Sequence, residues 1–318
     1  MKKKIIIVAG DPESINSEIL FKSWIKLSNQ VKKKIYLISN VNLLNKQFKK
    51  LGIKIDIENT NINSNSNKLK VIDVKLRFKN PFKINRGTLK KYIKNSLNIA
   101  HNLATKDKNV IGIINCPIKK NLLELNNVGV TEFFAKKCSI KNNSEVMVIR
   151  NNKLAVALIT THYDLKNVAN MISKNLIIKK IKTIHLHYKR ILNKKPEIGV
   201  LGLNPHNAEL RKNSEEIKKI TPAIKSLKKL GIKVFGPLVA DTVFIEEYKK
   251  FDVIVGMYHD QVLTPFKAMY KFDAINFTLG LNYLRVSPDH GVAINLIGKN
   301  KADENSLLQC IKFINKFG

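Results

Sequence analysis

Short apolar runs alternate with amphipathic segments from one end of the chain to the other. Residues 5–8 (IIIV), 35–38 (IYLI) and 110–115 (VIGIIN) are continuous enough to predict buried strands. Between them, residues 18–26 place Ile19, Leu20, Trp24 and Ile25 on one face at helical spacing. A further helix runs to about residue 50, and residues 89–106 predict a longer one. Residues 146–149 and 154–159 flank Asn151-Asn152 and predict a hairpin. A helix is expected after Leu165, then an apolar run at 183–186, a helix-like stretch and a strand over 197–203. Residues 214–230 predict a Lys-rich helix capped by Ser214. Glu215 and Glu216 fall in its first turn, where the helix dipole favours acids. Apolar runs at 234–235, 251–257 and 274–278 complete the series. The Ser/Asn-rich stretch 58–70 has neither period and predicts an exposed loop. Repeated β-then-α order predicts an α/β fold with a largely parallel sheet. Two lobes are expected, residues 1–123 with 297–318 and residues 124–296.

Composition changes this picture little. The 318 residues suffice for two domains, and 44% hydrophobic with 25% charged is ordinary for a globular chain. Charge is not ordinary: 57 Lys+Arg against 24 Asp+Glu give a net +33. The excess is mostly lysine spread through every segment, with no RNA-binding aromatic signature and no zinc-finger spacing. No nucleic-acid partner is therefore expected, and the basic field serves instead to draw in anionic substrates. Cys116, Cys138 and Cys310 are odd in number and lack CxxC spacing, which argues against a disulfide framework. The opening MKKKIIIVAGDP has too short an apolar run for a signal peptide. No stretch approaches the roughly 20 apolar residues of a membrane span. A cytoplasmic protein without a membrane partner is expected.

Candidate chemistry gathers in residues 256–291. The apolar run 251–257 ends in Tyr258-His259-Asp260-Gln261, and Lys267, Asn276, Arg285, Asp289 and His290 follow. Ligands of open α/β sheets sit outside the carboxyl ends of strands. Three histidines have that placement: His162 closes VALITTH, His206 follows VLGLNP, and His259 follows VIVGMY. Any one of these alone reads as well as a satisfied loop residue, and their spacing matches no compact zinc motif. Three neutral imidazoles converging at one rim suit a divalent metal with an open position.

Seven motifs recur in order: AGDP (9–12), TTH (160–162), LGLNPH (201–206), GPLVADTVF (236–244), MYHDQVLTPFK (257–267), NFTLGL (276–281) and DHGVAINLIGK (289–299). Over nearly its whole length the chain resembles the 4-hydroxythreonine-4-phosphate dehydrogenase family of pyridoxal phosphate (vitamin B6) biosynthesis. The resemblance implies a two-lobed α/β/α sandwich similar to the isocitrate and isopropylmalate dehydrogenases, working as a homodimer. It implies a divalent metal (zinc, cobalt or magnesium) held by three histidines drawn from both subunits, matching His162, His206 and His259. Substrate contacts match Thr131, Lys267, Asn276 and Arg285. The implied reaction is NAD-dependent oxidation of 4-phosphooxy-L-threonine and loss of carbon dioxide, giving 3-amino-2-oxopropyl phosphate. Residues 290–299, with Ala302 and Asp303, resemble the adenine-side NAD loop of the decarboxylating dehydrogenases, which points to His290, Gly291 and Gly298 for the cofactor. No GxGxxG follows the first strand, so an ordinary Rossmann site is not indicated.

The residue types suit that chemistry. Lys267 and Arg285 supply the positive charge that a phosphate or carboxylate demands. Asp241 and Asp260 are the catalytic candidates, as a proton acceptor or as an orienter of a metal ligand. Two departures from the family pattern stand out. Glu13-Ser14-Ile15-Asn16-Ser17 replaces a glycine- and proline-rich loop, which threatens close backbone approach to a ligand. Val130 stands before Thr131 where the family has histidine, and the preceding loop is about three residues shorter. Valine offers no hydrogen bond or charge. The same chemistry on a threonate or erythronate phosphate is therefore the alternative, and a non-catalytic basic protein binding metal or nucleotide a more distant one.

Overall fold

The computed structural model describes residues 3–123, 129–140 and 144–318. Contacts divide the chain into two compact units, Met1–Cys138 with Asn282–Gly318, and Ser139–Leu281. Among the described residues, 129–138 and 282–296, expected in the second lobe, count with the first unit. The cause is local. Phe134, on the helix Val130–Lys137, meets the Tyr283 ring edge-on at 6.1 Å and lies 6.0 Å from the Arg285 guanidinium.

The first unit is built on β1 (Lys4–Val8), β2 (Ile35–Ser39), β3 (Ile57–Asn59), β4 (Leu69–Asp73), β5 (Val110–Asn115) and the late strand Arg285–Pro288. The order is β3-β4-β2-β1-β5 and then Arg285–Pro288, every pairing parallel. Residues 5–8 and 35–38 are fully apolar because both faces of these strands are covered, and the helices Arg86–Lys106 and Asn305–Phe317 pack against β1 and β5. Each buried isoleucine there contributes roughly 1.5–3 kcal/mol. In the helix Asn16–Ile25, Ile19, Leu20 and Trp24 are buried as expected, while Ile25 is exposed at its end.

One expectation fails here, and one strand was not anticipated. The stretch 58–70 is a loop only in its middle, because residues 57–59 and 69–73 pair as β3 and β4. The strand Arg285–Pro288 was hidden by its Arg and Ser, polar residues that are buried here.

The second unit carries β6 (Val146–Arg150), β7 (Ala155–Leu158), β8 (Ile198–Leu201), β9 (Val234–Leu238), β10 (Val253–Gly256) and β11 (Ile275–Leu279). The order is β11-β6-β7-β10-β8-β9. The hairpin β6-β7 and the β11-β6 pairing are antiparallel and the others parallel. The run 183–186 is not a break but part of one helix, Lys174–Leu192. Ile177, Ile181, Ile184 and Tyr188 form its buried stripe, and Leu186 faces out. The helix His259–Tyr270 sits on the core through Val262, Leu263 and Phe266 beside Val156 and Ile254. That packing fixes the strand-end residues that begin it.

Candidate active site

His259 opens its helix three residues past β10, and its Nδ1 lies 2.7 Å from Asp260 Oδ1. A carboxylate on one ring nitrogen sets the tautomer and leaves Nε2 for a ligand. The exposed His162, beyond the end of β7, has its ring centroid 5.6 Å from that of His259, with the planes at 40°. Two imidazoles so close, one of them oriented by a carboxylate, fit a divalent metal. His206 does not join them: among the described residues no group of three or more His, Cys, Asp or Glu side chains stands ready to hold a metal ion. It lies in the turn Pro205–Leu210, where residues 206–210 all have left-handed φ of 49° to 55°. Asp241 is exposed on the short helix Ala240–Val243.

The expected substrate residues are divided between the units. In the second, Lys267 lies in the last turn of His259–Tyr270, with Nζ 4.9 Å from the Phe272 ring centroid. Asn276 stands on β11 opposite Ile149, and its buried Oδ1 has no protein hydrogen-bond donor. A buried acceptor left open is uncommon and invites a ligand. In the first unit, Arg285 is 2% exposed. Its Nε donates to Asn115 Oδ1 at 2.7 Å and its Nη1 to Thr131 Oγ1 at 3.1 Å. Burial lowers its pKa to about 10, so the guanidinium remains charged at neutral pH. Asn115 and Thr131 fix the plane of the guanidinium, and the nearby Glu132 carboxylate favours its charged form. The geometry is suited to an anionic ligand group.

Of the cofactor candidates, His290 has Nδ1 2.9 Å from Gly291 O and a buried Nε2 without a protein partner. Gly291 is exposed, and Gly298 has φ +76° with open space where a Cβ would project. The altered loop at 13–17 packs beside this segment, Ile15 N–H donating to Val292 O at 3.2 Å. Asn16 Nδ2 donates to Ala9 O and Pro117 O at 2.9 and 2.8 Å. Gly10 turns the chain here at φ +76°, where a Cβ would come within 2.6 Å of Pro117 O.

Sequence reasoning missed a charged cluster at this rim. Lys119 Nζ lies 2.7 Å from Glu13 Oε2 and 4.0 Å from Oδ2 of the fully buried Asp11, whose pKa burial raises. The signal available was Asp11 within AGDP and Lys119 shortly past the end of a buried strand. Val130 starts the helix bearing Thr131 and is half-buried. Most of the shortened loop before it, 124–128, lies outside the described residues.

Residues 30–314 match the family model of the pyridoxal phosphate biosynthetic protein PdxA. The chain belongs to this family. The 4-hydroxythreonine-4-phosphate dehydrogenase of Aquifex aeolicus is 37% identical over 330 residues, covering 99% of this chain and 98% of the relative. A relative from Oceanobacillus iheyensis, provisionally named D-threonate 4-phosphate dehydrogenase, is 32% identical over 326 residues, covering 98% of this chain and 96% of the relative. The crystal structure of the Klebsiella pneumoniae 4-hydroxythreonine-4-phosphate dehydrogenase superposes with a TM-score of 0.84 at 26% identity, covering 99% of each chain. A β-decarboxylating dehydrogenase from Thermococcus kodakarensis shares the fold alone, with a TM-score of 0.51 at 8% identity over 99% of this chain and 83% of that one. The α/β fold expected from the motifs is thus the one found. Among the described residues no helix is long and apolar enough to cross a membrane.

Proposed function

We propose that this PdxA-family protein is the 4-hydroxythreonine-4-phosphate dehydrogenase of pyridoxal phosphate biosynthesis. It oxidises 4-phosphooxy-L-threonine and releases carbon dioxide, leaving 3-amino-2-oxopropyl phosphate. The observation that carries this reading is the 37% identity to an enzyme of that name across 99% of the chain. Arg285 with Thr131, the open Oδ1 of Asn276 and the neighbouring His162 and His259 rings support it.

Arg285, with Thr131, holds an anionic group of the substrate through its two-pronged donor, and Lys267 supplies a second positive charge. Asn276 meets a donor on the substrate with its open Oδ1. His162, His206 and His259 are the metal ligands, and Asp260 holds His259 in position. A divalent zinc, cobalt or magnesium ion held there would supply a Lewis acid for the alcohol and the ketone. Asp241 takes the hydroxyl proton. His290, Gly291 and Gly298 would hold NAD, which would supply the hydride acceptor. The departing carboxyl group leaves as carbon dioxide, and a proton returns to the carbon.

With His206 apart from the other two, a third imidazole comes from a second copy of the chain, so the working form is a homodimer. Exposed apolar side chains favour this: Tyr163 and Leu165 follow His162, Leu210 follows His206, and Ile245 follows Asp241. Such residues on a set of ligand-bearing loops mark a surface that a partner covers. The three cysteines are free and buried, in keeping with a reducing cytoplasm.

A second reading keeps the machinery and changes the substrate to a threonate or erythronate phosphate. The relative from Oceanobacillus iheyensis and Val130 favour it. Both readings require His259. His259→Ala is expected to lose bound metal and at least a hundredfold in NADH production; undiminished turnover in that variant would refute them together.

A further inference from the structure

The strand ends that carry His206 and His259 are joined by one side-chain amide. Gln261 Nε2 donates to Gly202 O at 2.7 Å, and Gln261 Oε1 accepts from Met257 N–H at 2.7 Å. Gly202 begins the loop from β8 to His206, and Met257 lies between β10 and His259. The two strands are parallel neighbours, so a single carboxamide spans their carboxyl ends. Only a group with a donor and an acceptor on one carbon satisfies both sides.

A second group grips the same loop from below. Glu216 is fully buried at the start of the π-helical turn Glu216–Ile220. Its Oε1 accepts from the backbone N–H groups of Leu203 and Asn204, each at 2.8 Å, and its Oε2 accepts from Asn204 Nδ2 at 3.0 Å. Burial alone would raise this carboxyl's pKa. The hydrogen bonds from Asn204 and Leu203 outweigh it and hold the group below the usual range.

The loop needs such anchors. Residues 206–210 occupy the left-handed region, which side chains with a Cβ rarely adopt over several residues. Asn207 Nδ2 donates to Pro237 O at 3.0 Å, and a Cβ on Gly202 would come within 2.0 Å of Asn207 Oδ1. A turn held in this unfavourable conformation by contacts at its base keeps a fixed direction for what it carries. Among the described residues neither anchor hydrogen-bonds to a histidine, and neither was singled out by its sequence motif for this role.

We propose that Gln261 and Glu216 are positioning residues that fix loop 202–210 and so aim His206 for a divalent metal. This rests on the reading of the histidines as metal ligands given above. Gln261 sets the loop against the His259 strand end, and Glu216 sets it against the helix that follows.

The test is titration of the purified full-length protein with cobalt(II), read by calorimetry and by the visible absorption of the bound ion, whose intensity reports ligand geometry. Wild type, His206→Ala, Gln261→Met and Glu216→Gln are compared, with circular dichroism checking the fold. Gln261→Met keeps the volume and removes both hydrogen bonds, whereas Glu216→Gln keeps only part of its acceptor capacity. The proposal expects both positioning variants to bind cobalt at least about tenfold more weakly, with an altered visible spectrum, while His206→Ala loses more. Wild-type affinity and spectrum in a folded Gln261→Met, with His206→Ala impaired, would overturn the positioning role and leave the metal reading standing. Cobalt binding in His206→Ala equal to wild type would overturn the metal reading and this proposal with it. If Gln261→Met fails to fold, Glu216→Gln decides by the same criteria.

Discussion

Arg285 keeps its charge where charges are costly. Burial lowers its pKa to about 10, and its named partners, Asn115 and Thr131, are neutral. Asn115 and Thr131 fix the plane of the guanidinium, which holds its fork ready for an anionic ligand group. Lysine cannot reproduce the planar fork that reaches both Asn115 and Thr131. Arg285→Lys is therefore expected to lower kcat/KM by about ten- to a hundredfold, mostly through KM, in a steady-state assay. This arginine was legible in sequence as an anion-binding candidate, but its partner Asn115 was not, because nothing in VIGIIN marks one amide at a strand end. Glu216 illustrates the limit more sharply. In sequence it is a first-turn acid favoured by the helix dipole; in the structure it is a buried anchor for a loop twelve residues upstream. Helical periodicity is visible along a chain, whereas such an attachment depends on which backbone N–H groups the fold leaves open.

At the scale of elements, the altered loop after β1 shows how a departure from a family pattern is accommodated. Glu13 bridges three segments, its Oε2 meeting Lys119 and its Oε1 accepting from Ile84 N–H at 2.7 Å. Partial burial would raise its pKa, but these contacts prevail and hold it below the usual carboxylate range. A carboxyl depressed in the folded state adds stability above its unfolded pKa, and that stability fades as the pH falls through the folded value. Glu13→Gln should therefore be less stable than wild type near neutrality, by about 0.5–1.5 kcal/mol, and the two should converge in acid below the ordinary carboxylate range. Urea unfolding at a series of pH values reads this directly. Most strands and helices were legible because their apolar runs are buried on both faces or follow one stripe. The pairs β3 and β4 were missed because three to five residues beside a Ser/Asn-rich loop carry too little pattern. The run 183–186 misled for the opposite reason: TIHL, taken alone, has no period, and only the whole of Lys174–Leu192 shows the helical stripe.

For the whole molecule, the family was legible in seven ordered motifs, and the two-unit α/β fold follows from them. The metal site was less so, because among the described residues His162 and His259 lie together without a third possible ligand beside them. If a second copy completes the site, light scattering of the purified protein should give about twice the 36.2 kDa chain mass, with a stoichiometry of one divalent ion per chain. A monomer that binds the metal fully would contradict the shared site. The central claim is the reaction itself. The most direct measurement is NADH formation by the purified protein with NAD, a divalent metal and 4-phosphooxy-L-threonine, with threonate and erythronate phosphates assayed in parallel. The account predicts chelator-sensitive turnover that is fastest on 4-phosphooxy-L-threonine. Turnover confined to a sugar-acid phosphate, or none on any of the three by metal-loaded protein, would contradict it.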